Sequence, residues 1–197
     1  MSDVALSSAL PAPSRGRAPI VPNGVLGMLI FVITEAMFFA GLISAHTIAE
    51  SSAPYGWPPP DQPRLPLEAT AVNTLALLVS GVCIFVAGRS FRKDPESAKP
   101  PFAVGIFLGA FFVFAQGIEW VGLIREGLTL FSSTHGSFFY LIVGSHAFHA
   151  VVAIGLLVWA FTSLLRRKLT DATFTTLRVF WYFVVLVWPF LYLKVYL

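Results

Sequence analysis

Charge is the first thing this chain lacks. Lys, Arg, Asp and Glu make up only 12% of its 197 residues, against about 25% in a soluble globular domain. A mean hydropathy of +0.77 agrees with that deficit, and together they point to an integral membrane protein. Cysteine is nearly missing as well. The one thiol, Cys83, lies inside an apolar run, which excludes an internal disulfide framework and any metal site built from several thiolates. Motifs of soluble catalysis are absent: no H-E-x-x-H, no phosphate loop and no nucleophile elbow. The Glu-x-x-His ligand pair of di-iron bundles is absent too, as is a basic tract with interleaved aromatics of the kind that binds nucleic acid.

What the chain has instead is apolar length. Runs at 24–49, 67–91, 101–124, 136–165 and 173–196 are each long enough for a helix across a hydrocarbon core of about 30 Å. The expected fold is therefore all-α, a polytopic bundle of five transmembrane helices. Residues 24–197 form that domain behind an extramembrane tail, 1–23, which holds Arg15, Arg17 and four prolines. The first run is too long for a signal h-region and is followed by no A-x-A-like site, so it reads as a retained span. Asn23, after Pro22, is placed to cap it. The connection 50–66 carries six prolines and cannot be helical throughout; it reads as an ordered loop with Tyr55 and Trp57 at the membrane interface. Segment 92–100 reads as a charged turn ended by Pro100 and Pro101. Ten basic residues fall on one side of this arrangement and three, Arg64, Arg125 and Lys194, on the other. The positive-inside rule then puts the N-terminus in the cytoplasm and the C-terminus outside.

A few polar residues lie within the spans, and they are where function is to be sought. Glu35 stands near the middle of the first run, where a carboxylate is costly because it loses its hydration. Counting about 1.5 Å per residue from the cytoplasmic ends puts Glu35 at ~17 Å, His149 at ~24 Å, Glu119 at ~27 Å and His146 at ~29 Å. His146 and His149 are three apart and share a helix face, as do Gln116 and Glu119. Gly27, Thr34 and Gly41 recur every seven residues beside Glu35. The expectation is one buried polar seam of Glu35, Gln116, Glu119, His146 and His149 joining the first, third and fourth helices. In it Glu35 is either protonated through burial or paired. Asn73, Thr74 and Ser80 read as packing residues, and His46 and His135 as solvated near the outer surface. A haem between helices needs axial histidines facing each other from different spans, and His146 and His149 share one. No metal, cofactor-binding or catalytic residue is therefore expected in this chain.

Several stretches, in order, resemble subunit III of the haem–copper terminal oxidases, the cytochrome c oxidase family. GMLIFVITEAMFFAGLISA is similar to the family's helix with a buried, carbodiimide-reactive glutamate, which lands on Glu35. LEATAVNTLALLVSG matches its next helix with the Asn73-Thr74 pair, and Gln116 and Glu119 fall on a Q-x-x-E pattern. GSHAFHAVVAIG resembles its two-histidine helix, landing on His146 and His149, and VFWYFVVLVWPFLYLKVYL its last helix. There the usual W-H-F-x-D-x-x-W is altered, Tyr182 and Val185 replacing the His and the Asp. The chain resembles the short five-helix bacterial form rather than mitochondrial forms with two further N-terminal helices.

The resemblance implies an accessory subunit of an oxidoreductase complex in the bacterial inner membrane, without an active site of its own. Haem and copper are expected in partner subunits, with subunit I the main contact. Bound phospholipid is compatible with the family. The implied role is to sustain proton uptake and to protect the oxygen-reducing subunit I during aerobic turnover. The alternatives are subunit III of a quinol oxidase and a subunit-III-like protein attached to a nitric oxide reductase. A stand-alone transporter is disfavoured because no inverted repeat or pair of Gly/Pro-broken helices is present.

Overall fold

In a computed structural model the chain forms helices α1 (Asn23–Ser51), α2 (Leu67–Phe91), α3 (Lys99–Arg125), α4 (Thr134–Leu165) and α5 (Asp171–Leu191). The structure describes residues 22–54, 56–59 and 62–196; most of the 1–23 tail, and Tyr55, lie outside them. All five helices are long and apolar enough to cross a membrane, and the protein is a multi-pass membrane protein.

Helix ends show local chemistry that hydropathy does not register. Asn23 is not a cap: it is the first residue of α1, behind Pro22, whose carbonyl accepts from the Val25 and Leu26 amides. Pro100 and Pro101 do not end the preceding turn but sit inside the first turn of α3, where no intrahelical N–H is needed. Before them, a short 3-10 turn (Glu96–Ala98) is held by Asp94, whose carboxylate accepts from the Glu96 and Ser97 amides at 3.1 Å. Ser133 caps α4 by accepting from the Gly136 amide at 3.0 Å, and Thr170 caps α5 through the Thr173 amide, each satisfying an orphan donor. Pro189 lies inside α5, removing one backbone donor. Beyond Leu191 the coil widens into a π turn, Tyr192–Tyr196.

Helix α5 is the centre of the bundle, packing against α1, α2 and α4, while α3 packs on α2 and α4. Half of its apolar stretch is buried, against 6% for α1, so α1 is an outer helix held to the rest along a narrow line. That line includes Phe31 against Phe180 and Phe39 against Phe183. Two glycines permit the tightest approaches to α5. A Cβ on Gly109 would come within 2.6 Å of the Trp181 ring, and one on Gly88 within 1.5 Å of the Arg178 guanidinium. Arg178, counted above among the topological charges, is in fact folded inward. It lies 5.0 Å over the Phe174 ring and donates to Thr175, a cation–π contact with one hydrogen bond.

Candidate functional site

The five polar residues do not form one seam. Four of them fall into two groups, and His146 stands apart from both. The first joins α1 to α4. His149 Nε2 lies 3.0 Å from Glu35 Oε2, and His149 Nδ1 lies 2.7 Å from the Ser145 carbonyl oxygen. A carbonyl can only accept, so Nδ1 carries a proton. Nε2 and the carboxyl can then bond only through one further proton, held on either side. Both arrangements, imidazolium–carboxylate and imidazole–carboxylic acid, have no net charge. Pairing thus removes most of the cost of placing an acid at this depth. The Glu35 side chain keeps 20% of its surface exposed, facing an open groove edged by Phe31, Phe38 and Phe148.

The second group joins α3 to α2 and to the C-terminal turn, not to α4. Asn73 Nδ2 donates to Glu119 Oε1 at 2.7 Å, and Gln116 Nε2 donates to Glu119 Oε2 at 2.8 Å. The Thr70 hydroxyl lies 2.8 Å from the same Oε2 and 2.8 Å from the Pro66 carbonyl. Its single proton serves one of them at a time. Gln116 Nε2 also donates to the Tyr196 hydroxyl at 3.1 Å. Asn73 is therefore more than a packing residue. So are Thr74, which accepts from Trp188 Nε1, and Ser80, which donates to the Gly105 carbonyl at 2.6 Å. A sequence signal for this group did exist: Thr70 and Asn73 are three apart on α2, as Gln116 and Glu119 are on α3, and two such faces can meet.

His146 belongs to neither group. It is buried, lies 4.9 Å from the Trp188 ring centroid, and its Nε2 has no hydrogen-bond partner among the described residues. Phe39, 2% exposed, packs edge-on against both His146 and His149 and keeps them in separate compartments. Depth counting expects Glu119 and His146 near one level. It carries no information on which way each points around its helix, and that decides the partner.

The expectation for His46 and His135 is also corrected. Both are 2% exposed. Trp57 from the proline-rich loop stands between them, its ring centroid 5.3 Å from His46 and 5.1 Å from His135, edge-on to each. Trp57 is half-buried and packs as a wedge between the two histidines. Gln62 ties the same loop to the start of α4 through Ser133 at 3.1 Å. Where the family's His and Asp are replaced, the buried Tyr182 hydroxyl has no hydrogen-bond partner among the described residues, and Val185 packs where a Cβ on Gly81 would touch it.

The Gly27, Thr34 and Gly41 stripe faces away from the bundle. A Cβ on either glycine would meet nothing within 4 Å, and Thr34 satisfies its hydroxyl on the Phe31 carbonyl of its own helix. Around the stripe α1 exposes Leu26, Ile30, Ile33 and Met37.

A family model described as cytochrome c oxidase subunit III matches residues 14–197. The chain is 32% identical over 180 residues to the probable cytochrome c oxidase subunit 3 of Nocardia farcinica, covering 89% of this chain and 88% of that one. To the corresponding probable subunit 3 of Mycobacterium leprae it is 31% identical over 179 residues, with the same coverage. A mammalian relative, cytochrome c oxidase subunit 3 of Oryctolagus cuniculus, is 32% identical over 191 residues, and there the match covers 90% of this chain and 71% of the longer relative.

Proposed function

This chain belongs to the cytochrome c oxidase subunit III family, and from that premise we propose that it is the accessory third subunit of a bacterial cytochrome c oxidase. In this reading it lies in the inner membrane with its N-terminus cytoplasmic and its C-terminus outside. Haem and copper sit in the partner subunits. This chain contributes a shaped apolar surface, and lipid fills the grooves that remain. The outer face of α1 is the proposed seat for subunit I: it exposes large apolar side chains and a stripe of small residues that allows close helix approach.

One observation carries the functional part. Glu35 Oε2 lies 3.0 Å from His149 Nε2 at the edge of that exposed face, beside an open groove. A pair of this kind can pass its proton to a neighbour and regain it, carrying one net negative charge at the groove edge only while the proton is away. Its proposed role is to support proton uptake by the oxygen-reducing subunit and to lengthen that subunit's working life.

The test is Glu35→Gln in the intact oxidase. Glutamine keeps a hydrogen bond to His149 but has no exchangeable acid proton. Assembly should persist while the purified enzyme inactivates sooner during turnover. Identical turnover, proton pumping and inactivation rate in the two enzymes would remove Glu35 from any functional role.

A further inference from the structure

A cavity of about 140 Å³ lies between α3, α4 and α5. Phe112, Val143 and Trp188 give it apolar walls, and three residues with unpaired polar atoms complete the lining: His146 with Nε2, Gln116 with Oε1 and Trp120 with Nε1. All three residues line the cavity, and none of these buried atoms has a hydrogen-bond partner among the described residues. The orientation of Gln116 follows from its surroundings. Its Nε2 faces the Glu119 carboxyl and the Tyr196 oxygen, so its Oε1 is turned away from both and needs another donor.

Leaving three such atoms unpaired in an apolar interior is costly, and one kind of ligand can satisfy them together. An indole N–H can only donate, an amide oxygen can only accept, and a neutral imidazole nitrogen does whichever its tautomer dictates. Water both donates and accepts. A water needs about 10–15 Å³ of such space and two to four polar partners, so the cavity has room for several. We propose that this cavity is a binding site for a cluster of ordered water bonded to Trp120, Gln116 and His146. The cluster extends the Glu119 group, through Gln116, as far as His146. It stops at Phe39, so the Glu35–His149 pair remains outside it.

Trp181 provides an internal control. Its Nε1 is also buried and has no hydrogen-bond partner among the described residues, but Trp181 does not line this cavity. The experiment follows hydrogen–deuterium exchange of the indole N–H groups by NMR on the full chain, 15N-labelled at tryptophan, in lipid nanodiscs. Trp120 should exchange at least about tenfold faster than Trp181. Ala147→Leu, which fills the cavity from α4, should slow Trp120 by about the same factor and leave Trp181 unchanged. If that variant does not fold, Val113→Phe fills the same space from α3. Equal protection of the two indoles overturns the proposal. So does fast Trp120 exchange that survives filling, or contact of the Trp120 N–H with acyl-chain methylenes in place of water.

Discussion

Two carboxyl groups lie away from the terminal turns of the membrane-spanning helices, Glu35 and Glu119, and the protein holds them in opposite ways. Glu119 is gripped by neutral donors on two helices, Thr70 and Asn73 on α2 and Gln116 on its own. No basic side chain among the described residues forms an ion pair with it. Glu35 has one partner, His149, whose far nitrogen is fixed on a backbone carbonyl. The first arrangement spreads a polar group over fixed dipoles and joins helices. The second sets the acid against one imidazole at the outer edge of the bundle, the pair proposed above to hold a proton. An acid in a membrane helix is thus not informative by type alone. Its partners determine whether it works as a fastener or as a proton holder.

The largest effect that would break this contrast is on stability. Glu119→Ala removes the acceptor of the Asn73 amide and one of the two acceptors open to the Gln116 amide and to the Thr70 hydroxyl, between α2 and α3. Interhelical hydrogen bonds in membranes average about 0.6 kcal/mol and reach about 1.7, so losing this set should cost about 2 kcal/mol. Thermal unfolding of the chain in lipid should show that loss as a clear drop in midpoint. Equal midpoints for Glu119→Ala and the parent protein would mean that the cluster fastens nothing.

A smaller effect sharpens the independence of the two groups. In a double-mutant cycle, Glu35→Ala and His149→Ala should couple by about 1 kcal/mol, within the range for membrane hydrogen bonds. Glu35→Ala and Glu119→Ala share no partner and should add to within about 0.5 kcal/mol. Coupling between the two acids would show that the two groups are not independent.

How much of this could be read beforehand depends on which residues are asked about. Hydropathy is a property of long windows, so five spans were legible from composition alone. Their ends depended on single residues, such as the prolines that open α3, and shifted accordingly. Pairing His149 with Glu35 required only a tolerable helix tilt. Pairing Glu119 with Asn73 required knowing the azimuth of α3, and spacing along one helix says nothing of which neighbour that face meets. His46 and His135 were misjudged for a different reason. Their burial depends on Trp57, eleven residues beyond His46 in a loop, and no periodicity exists in a loop to reveal where a side chain returns.

The smallest expected effect tests the outer helix itself. Gly41 lies on the bare side of α1, and a Cβ built there touches nothing. Gly41→Leu should therefore change the stability of the isolated chain by no more than about 0.5 kcal/mol, as surface substitutions do. Any residual change should be favourable, since leucine suits a helix interior better than glycine. If α1 seats against subunit I as proposed, the same substitution puts a branched side chain where two backbones must approach closely. Recovery of the other oxidase subunits with this one, at a fixed detergent concentration, should then fall while the chain's own melting curve stays in place. Falling stability without loss of the partners would put the contact within this chain and contradict the geometry of α1. Unchanged values of both would move the docking face elsewhere, and Glu35 would then be an acid on an outer edge with no subunit beside it.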